Sequence, residues 1–411
     1  VQETKSTDFK RQYVQPEWMA VFSCILMFVG FVASRAFISI GMIGLVVAAV
    51  WRTGLIDLFK HYFQRKELWV MSFFFVPVFY SGLYSANIEP WLNWVRIKLP
   101  YLVLPLAFAG LTQLTKKHIT IILYSFLVVM LTSLIVVLAN YALHFEAVTN
   151  SMLLGNAIAM PFSHIRYTLM LAFSFFLALY LSEEKKRQLN HWLIASAVFL
   201  FIALHILAVR SGLLALYVGL LVYLIRWIIL SKKYGLGFLF VATIAALPVL
   251  AYWLVPSFQN KIAHSIYDLQ EMKAGVINYR YDAMRLVSMK AGLMVWGQDV
   301  LMGVGAGDLS AAMNDYYAQS YPQLDEQNRL LPHHQFIWVL ASVGLLGLFQ
   351  FLMAFYIPFF ANGNFRQWIF VVLHLILFTS FFTEHTLEEQ IGTAFYLIFL
   401  LLFIQRFRTH A

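Results

Sequence analysis

The 411-residue sequence has one cysteine, Cys24, which excludes a disulfide within a single chain and a cysteine-based metal site. Charge is nearly as scarce. Asp, Glu, Lys and Arg together make 12% of the residues, about half of what a soluble domain of this size carries. Long polar stretches are missing as well, apart from one between residues 256 and 334. The period-two alternation of a membrane β-barrel is not seen. There is no paired-aspartate motif of the kind that holds a divalent ion on a sugar diphosphate, and no regular series of acids in the apolar runs that would suggest an ion relay. The charged start leads into a full-length apolar run without a small-residue cleavage site, so no cleavable leader is expected.

What remains is apolar: 61% of residues are hydrophobic, in runs of about 17–25, the length that crosses a bilayer as a helix. Lipid offers no partner for a backbone polar group, so such runs must be helical. The expected class is an all-α polytopic membrane protein with about twelve spans: 18–34, 37–50, 68–84, 99–114, 119–143, 165–181, 192–208, 213–230, 235–255, 335–360, 368–382 and 391–404. With the N-terminus cytoplasmic, 18 of the 29 Lys and Arg fall in inner segments, and six of the others lie in the one long outer loop. This is the positive-inside pattern, and it explains the formal charge of +9 without a nucleic-acid partner. Both termini are then cytoplasmic. The chain reads as one membrane domain: residues 1–255 carry nine spans, 256–334 form a lid-like outer insertion, and 335–411 carry three more. Inside the insertion, 278–296 has helical apolar spacing, the glycine run Gly303–Gly307 ends it, and Asp308 takes an N-cap position before a second short helix.

A membrane protein that interrupts its spans once at length, with arginines and histidines there, is expected to keep its chemistry there. Arg210 lies between two spans that run almost together. An arginine near hydrocarbon costs about 2.5–3.5 kcal/mol, so it needs a partner, a wet cavity or lipid phosphate to snorkel to. Arg280 and Arg285 are five apart on a helix, about 140° around its axis. They suit the flanks of a large anion, or a solvated face paired with Asp282. Guanidinium is a rigid, permanently charged fork matched to phosphate oxygens. His333 and His334 open the tenth span, where an imidazole that titrates near neutrality can act as a base or merely cap a helix. They lack the spacing of a helical metal motif. Gly344 and Gly347 are spaced for close helix packing. Glu384, His385, Glu388 and Glu389 read as a solvated outer loop that could also orient a histidine.

The tenth span begins His333-His334, then nine residues, then Gly344-Leu345-Leu346-Gly347. It resembles the histidine–polar–nine–Gly-x-x-Gly signature of the bacterial O-antigen ligase family. Arg285 followed by Val300-Leu301-Met302-Gly303-Val304-Gly305, and Arg210-Ser211-Gly212 before an apolar run, resemble the family too. Val300 stands where proline is usual, and His334 where a smaller polar residue is usual, which leaves open which histidine works. Arg280 is close enough to contest the role of Arg285.

The resemblance implies a C-type glycosyltransferase-like membrane fold and a metal-independent, cofactor-free, inverting glycosyltransferase of the bacterial inner membrane. Its donor would be a glycan on undecaprenyl diphosphate and its acceptor the lipid A–core of lipopolysaccharide, joined on the periplasmic side. On this reading Arg210 and Arg285, helped by Arg280, hold the donor diphosphate, and His333 or His334 takes the proton of the acceptor hydroxyl. An O-antigen polymerase and a protein O-oligosaccharyltransferase share this donor and differ in acceptor. A flippase of lipid-linked sugars is the alternative of another class; it predicts broken mid-membrane helices and paired halves.

Overall fold

The computed structural model describes residues 15–153, 158–184, 187–254 and 281–408, with isolated positions between 259 and 270. The described residues are 83% helical, and no strand occurs among them. Seven stretches there are long and apolar enough to cross a membrane, and Pro16–Val32 and Trp368–Ser380 are shorter apolar helices.

The first helices are α1 (Pro16–Val32) and α2 (Arg35–Thr53). They pack so closely that a Cβ on Gly41 would lie 2.6 Å from the Ser23 carbonyl oxygen, the approach that glycine permits between helices in lipid. Gly54, at φ +77°, ends α2 and turns the chain into α3 (Leu55–Gln64). The apolar run 68–84 is not one helix. It divides into α4 (Lys66–Trp69), a 3-10 turn (Val70–Phe74) and α5 (Val76–Ser81). Pro77 is the second residue of α5 and has no N–H to continue a helix from the preceding turn. Then follow α6 (Ile88–Lys98) and α7 (Pro100–Gly110). The 11 residues of α7 rise only about 16 Å, short of the roughly 30 Å of hydrocarbon.

The remaining helices are α8 (Lys116–Leu143), α9 (Phe145–Leu153), α10 (His164–Glu183), α11 (Arg187–Leu207), α12 (Arg210–Ser231), α13 (Tyr234–Leu254), α14 (Tyr281–Trp296), α15 (Leu309–Ser320), α16 (Gln335–Phe360), α17 (Trp368–Ser380) and α18 (Gln390–Arg408). Helices α10 and α18 are the centre of the bundle. Both are buried along nearly their whole length, as expected of helices that are apolar all round. Phe28, Phe126, Phe173, Phe395 and Phe399 meet between α1, α8, α10 and α18, with Phe28 and Phe399 stacked at 5.6 Å. In lipid such packing, rather than expulsion of water, holds helices together.

Ion pairs mark the two ends of the bundle. At one end Glu17 pairs with Arg52, Glu183 with Arg226, and Glu184 with both Lys116 and Arg406. At the other, Arg35 and Arg166 share Glu389.

The glycine run docks into a break in α16. Gly344 has φ +64° and ψ −165°, and four hydrogen bonds join the two segments: Leu345 N to Val300 O (3.0 Å), Leu346 N to Leu301 O (3.2 Å), Val304 N to Ala341 O (3.0 Å) and Gly305 N to Ser342 O (2.9 Å). The loop thus supplies the partners that the helix would otherwise give itself. Gly344 is therefore not a helix–helix packing residue as its spacing suggested; what comes close is the loop backbone. A Cβ on Gly344 would lie 2.2 Å from Leu301 O, and one on Gly303 2.6 Å from the Ser342 carbonyl carbon.

The far side of the same loop is clamped to the α5–α6 connection. Tyr84 OH donates to Met302 O (2.7 Å), and Ser81 Oγ and Ser85 Oγ accept from Ala306 N and Gly307 N. Asp308 sits at the N-cap position of α15 but makes no capping bond. Its carboxylate instead accepts from Ala86 N, Asn87 N and Asn87 Nδ2 at 2.7–2.8 Å. The helix expected over 278–296 is α14 in its described part.

Candidate functional site

The end of the bundle that holds Arg166 gathers charged groups from four parts of the chain. Arg166 lies in the first turn of α10 and is buried. It bonds Glu384 Oε1 at 3.1 Å and Glu389 Oε2 at 2.9 Å. Glu384 is buried beside it, and its Oε1 stands 3.8 Å from His333 Nδ1. The His333 ring meets the His385 ring at 5.5 Å, and His385 Nδ1 is 3.1 Å from the Pro332 carbonyl oxygen. The His333 backbone N–H donates to Ser288 Oγ (3.2 Å), which itself donates to Arg285 O (2.7 Å). Helix α14 is thereby fastened to the start of α16.

The electrostatics follow from this crowding. Burial pushes the His333 imidazole down, His385, Arg285 and Arg166 add to the effect, and Glu384 opposes it, leaving a pKa of about 4. Burial pushes the Glu384 carboxyl up, but Arg166, His385, His333 and Arg285 outweigh it and hold the group below the usual carboxylate range. At neutral pH the pair is a neutral imidazole beside a carboxylate. That arrangement can take a proton onto the ring and stabilise the resulting imidazolium.

Each residue expected from the sequence can now be placed. His333 joins the ionic cluster. His334 does not: its ring packs on Phe382 (5.4 Å) and Phe336 (5.8 Å), and burial lowers its pKa. Arg285 is half-buried on α14, near enough to act on the charge of both His333 and Glu384. Arg210 is the first residue of α12 and is exposed. A Cβ on Gly212 would lie 2.5 Å from Thr168 Cβ, which sets the start of α12 against the start of α10 and brings Arg210 to the end that holds Arg166. Arg280 lies outside the described residues.

Sequence reading missed Arg166 and misjudged the 384–389 loop, where Glu384 and Glu388 are buried rather than solvated. The available signal was an arginine in the first turn of an apolar run, the same signal that singled out Arg210.

A second buried network lies under the histidines. Lys98 Nζ donates to Glu388 Oε1 (2.6 Å) and Leu387 O (3.1 Å), and Gln335 Nε2 donates to the same Glu388 oxygen (2.6 Å). Gln335 Oε1 accepts from Leu387 N (2.9 Å). Gln335 directly follows His334, so this network fixes where α16 begins. Losing one member of a buried ion pair costs about 3–5 kcal/mol, because the survivor keeps an uncompensated charge. Lys98→Met should therefore lower the thermal midpoint sharply in detergent, and Lys98→Met with Glu388→Gln should recover most of the loss. Equal midpoints for the single variant and the parent would show that the pair carries no such energy.

His333, Glu384 and His385 bring ligand-type atoms within 4.8 Å of one another. A bound divalent ion would need them drawn in to about 2.0–2.2 Å from itself, and it would have to share Glu384 with Arg166, with Arg285 nearby. The adjacent guanidinium charges oppose a further cation.

The cluster thus holds a neutral imidazole beside a carboxylate, flanked by fixed guanidinium groups, just before the glycine signature. Residues 195–352, which carry His333, His334, Arg285 and that signature, match the family model described as O-antigen ligase. Over that stretch the chain is similar to the O-antigen ligase family. No curated protein matches it. The family match supports glycosyl transfer of the O-antigen ligase/polymerase type in general, with lipid-linked glycan and lipid acceptor substrates in general. Together with the apolar helices it makes the chain a multi-pass membrane protein. Within the matched stretch, the first glycine of Gly344-Leu345-Leu346-Gly347 is the break into which the 300–305 loop docks.

Proposed function

We propose that this O-antigen ligase family protein transfers a glycan from undecaprenyl diphosphate to the lipid A–core of lipopolysaccharide, with inversion and without a metal. In this reading the apolar segments cross the inner membrane in a C-type glycosyltransferase-like arrangement. Both termini are cytoplasmic, and the site lies at the periplasmic surface under the 256–334 insertion. The concentration of Lys and Arg away from the site, including Lys116, Arg226 and Arg406, supports that orientation.

Chemically, the acceptor hydroxyl oxygen attacks the anomeric carbon from the face opposite the diphosphate. The new carbon–oxygen bond forms as the bond to the diphosphate oxygen breaks, and undecaprenyl diphosphate leaves. His333 receives the hydroxyl proton, and Glu384 stabilises the imidazolium. Arg285 and Arg210, with Arg280, hold the diphosphate and offset the charge that grows on it. The observation that carries the reading is the placement of a neutral His333 between Glu384 and the Arg285 helix.

The test is reconstitution of the purified protein in lipid with an undecaprenyl-diphosphate-linked glycan and purified lipid A–core, with detection of the new glycosidic bond. Parallel reactions with a second donor molecule, or with a pilin-like protein as acceptor, separate ligase from polymerase and oligosaccharyltransferase. Arg285→Ala should cost about 10²–10³-fold in rate, the usual loss of one charge-stabilising group. Product only with the second donor or the protein acceptor, or unchanged transfer by Arg285→Ala, would defeat the proposal.

A further inference from the structure

At the end of the bundle opposite His333, α3 presents an apolar flank that no part of the described chain covers. Leu58 and Tyr62 point inward and are buried. A Cβ on Gly110 of α7 would lie 2.5 Å from Leu58 Cδ1, and Thr53 Oγ1 bonds Gly110 O at 2.7 Å, so the helix is seated on α7. Leu55, Ile56, Phe59 and Phe63 are exposed, Ile56 at 87% and Phe63 at 67%. At about 100° per residue, Leu58, Tyr62, Leu55, Phe59, Phe63 and Ile56 follow one another around the helix over about 160°. Lys60, Gln64, Asp57 and His61 take the opposite side. The apolar arc is thus shared: one flank rests on protein and the other is left open, with a polar side turned away from both.

We infer that α3 is an interfacial helix whose open flank lies in the lipid leaflet at the end of the bundle opposite the site. Continuity decides the occupant. Phe37, Ile40, Ile43, Val47 and Trp51 form an exposed stripe along α2, spaced three or four residues apart, and α2 is one of the membrane-crossing helices. The stripe runs directly into Leu55 and Ile56 across Gly54. An apolar surface that faces lipid along a span, and turns a corner without interruption, still faces lipid after the corner. A helix with apolar residues on one side and basic residues bordering them is the form that lies in a membrane surface. Lys60 borders Ile56, and Lys66 follows in α4. Both are exposed and placed to reach up to anionic phosphates.

The function of such a helix is to fix the depth of the bundle. Anchored to α7 on one flank and to the leaflet on the other, it resists sliding of α2 and α7 along the membrane normal, and so holds the opposite surface, with Arg166 and His333, at a constant level.

The test uses the full chain in nanodiscs, with nitroxide labels at Ile56→Cys, Phe63→Cys and Lys60→Cys in a Cys24→Ala background. Collision with oxygen, which concentrates in lipid, is compared with collision with a water-soluble nickel chelate. The 56 and 63 labels should favour oxygen and the 60 label the chelate. Nanodiscs of phosphatidylcholine with phosphatidylglycerol should place the 56 label deeper than phosphatidylcholine alone, and Lys60→Glu with Lys66→Glu should abolish that difference. Chelate access at 56 and 63 equal to that at 60 would overturn the inference. Dipolar broadening between labels on two molecules would also overturn it, in favour of a second copy of the chain on this face. None of these readouts depends on glycosyl transfer.

Discussion

His333→Ala should lower transfer by about 10²–10⁴-fold, the usual worth of a positioned general base, whereas His334→Ala should stay within about tenfold of the parent, a barrier change of about 1.4 kcal/mol. The two residues are neighbours in sequence and both open α16. Their surroundings separate them. His333 has a carboxylate 3.8 Å from its Nδ1 and cationic groups on two sides. His334 has two phenyl rings. A base that becomes charged in the transition state needs the first environment. If His334→Ala lost as much activity as His333→Ala while both proteins remained folded, the assignment of the base to His333 would fail.

The same assignment fixes the pH dependence. The base must be neutral to act, and in the free protein its pKa is held at about 4. The acid limb of kcat/KM, which reports the free enzyme, should therefore fall near pH 4 rather than near the ordinary histidine value of 6.5. A bound diphosphate brings negative charge near the ring and raises its pKa, so the limb of kcat should lie above that of kcat/KM. Glu384→Gln removes the one group that pulls His333 upward, so it should move the kcat/KM limb lower still. Stability has its own sign. Between pH 6.5 and about 4 the unfolded chain binds a proton at His333 that the folded chain refuses, so stability declines as pH drops through that window. The loss of activity must accordingly be read from initial rates on protein shown to be folded.

What the sequence made legible was whatever a single run of residues encodes. Apolar runs long enough to cross a bilayer became helices, because lipid leaves the backbone no alternative. The run 68–84 failed on a local detail, the missing N–H of Pro77, that a hydropathy count does not weigh. His333 and Arg285 were found because each sits in an obvious break between apolar segments. Arg166 and Glu384 were not found as a pair, since they are 218 residues apart and nothing in either segment announces the other. The same holds for Lys98 and Glu388, 290 residues apart. Glu384 and Glu388 read as solvated because acids beside a histidine in a short loop usually are. Their burial is decided by cations brought from distant helices, a property of the assembled bundle.

Gly344→Ala should destabilise the protein by several kcal/mol and deplete folded material. Two costs add. A residue with a Cβ at φ +64° and ψ −165° lies where essentially only glycine is found and costs about 1–3 kcal/mol, and here the Cβ would also sit 2.2 Å from the Leu301 carbonyl oxygen. That contact cannot be relieved by turning a side chain, because the obstacle is backbone. The 300–305 loop must lift away, and the four hydrogen bonds between it and the break in α16, worth about 0.5–1.5 kcal/mol each, lengthen or are lost. Gly363 is the control without the clash. It too has positive φ, at +72°, with ψ +23° in the milder left-handed region, and a Cβ there meets nothing nearer than 3.6 Å, so Gly363→Ala should lose only about 1–2 kcal/mol of conformational cost. The comparison is a thermal midpoint of each purified variant in detergent, together with hydrogen exchange at the Val304 and Leu345 amides. Gly344→Ala should unfold well below Gly363→Ala and exchange both amides fast. If the two variants unfold together with those amides still protected, the loop is not seated in the helix break. The spacing of the two glycines would then return to the role of a contact between helices, and the start of α16 would owe its position to the Lys98–Glu388–Gln335 network alone.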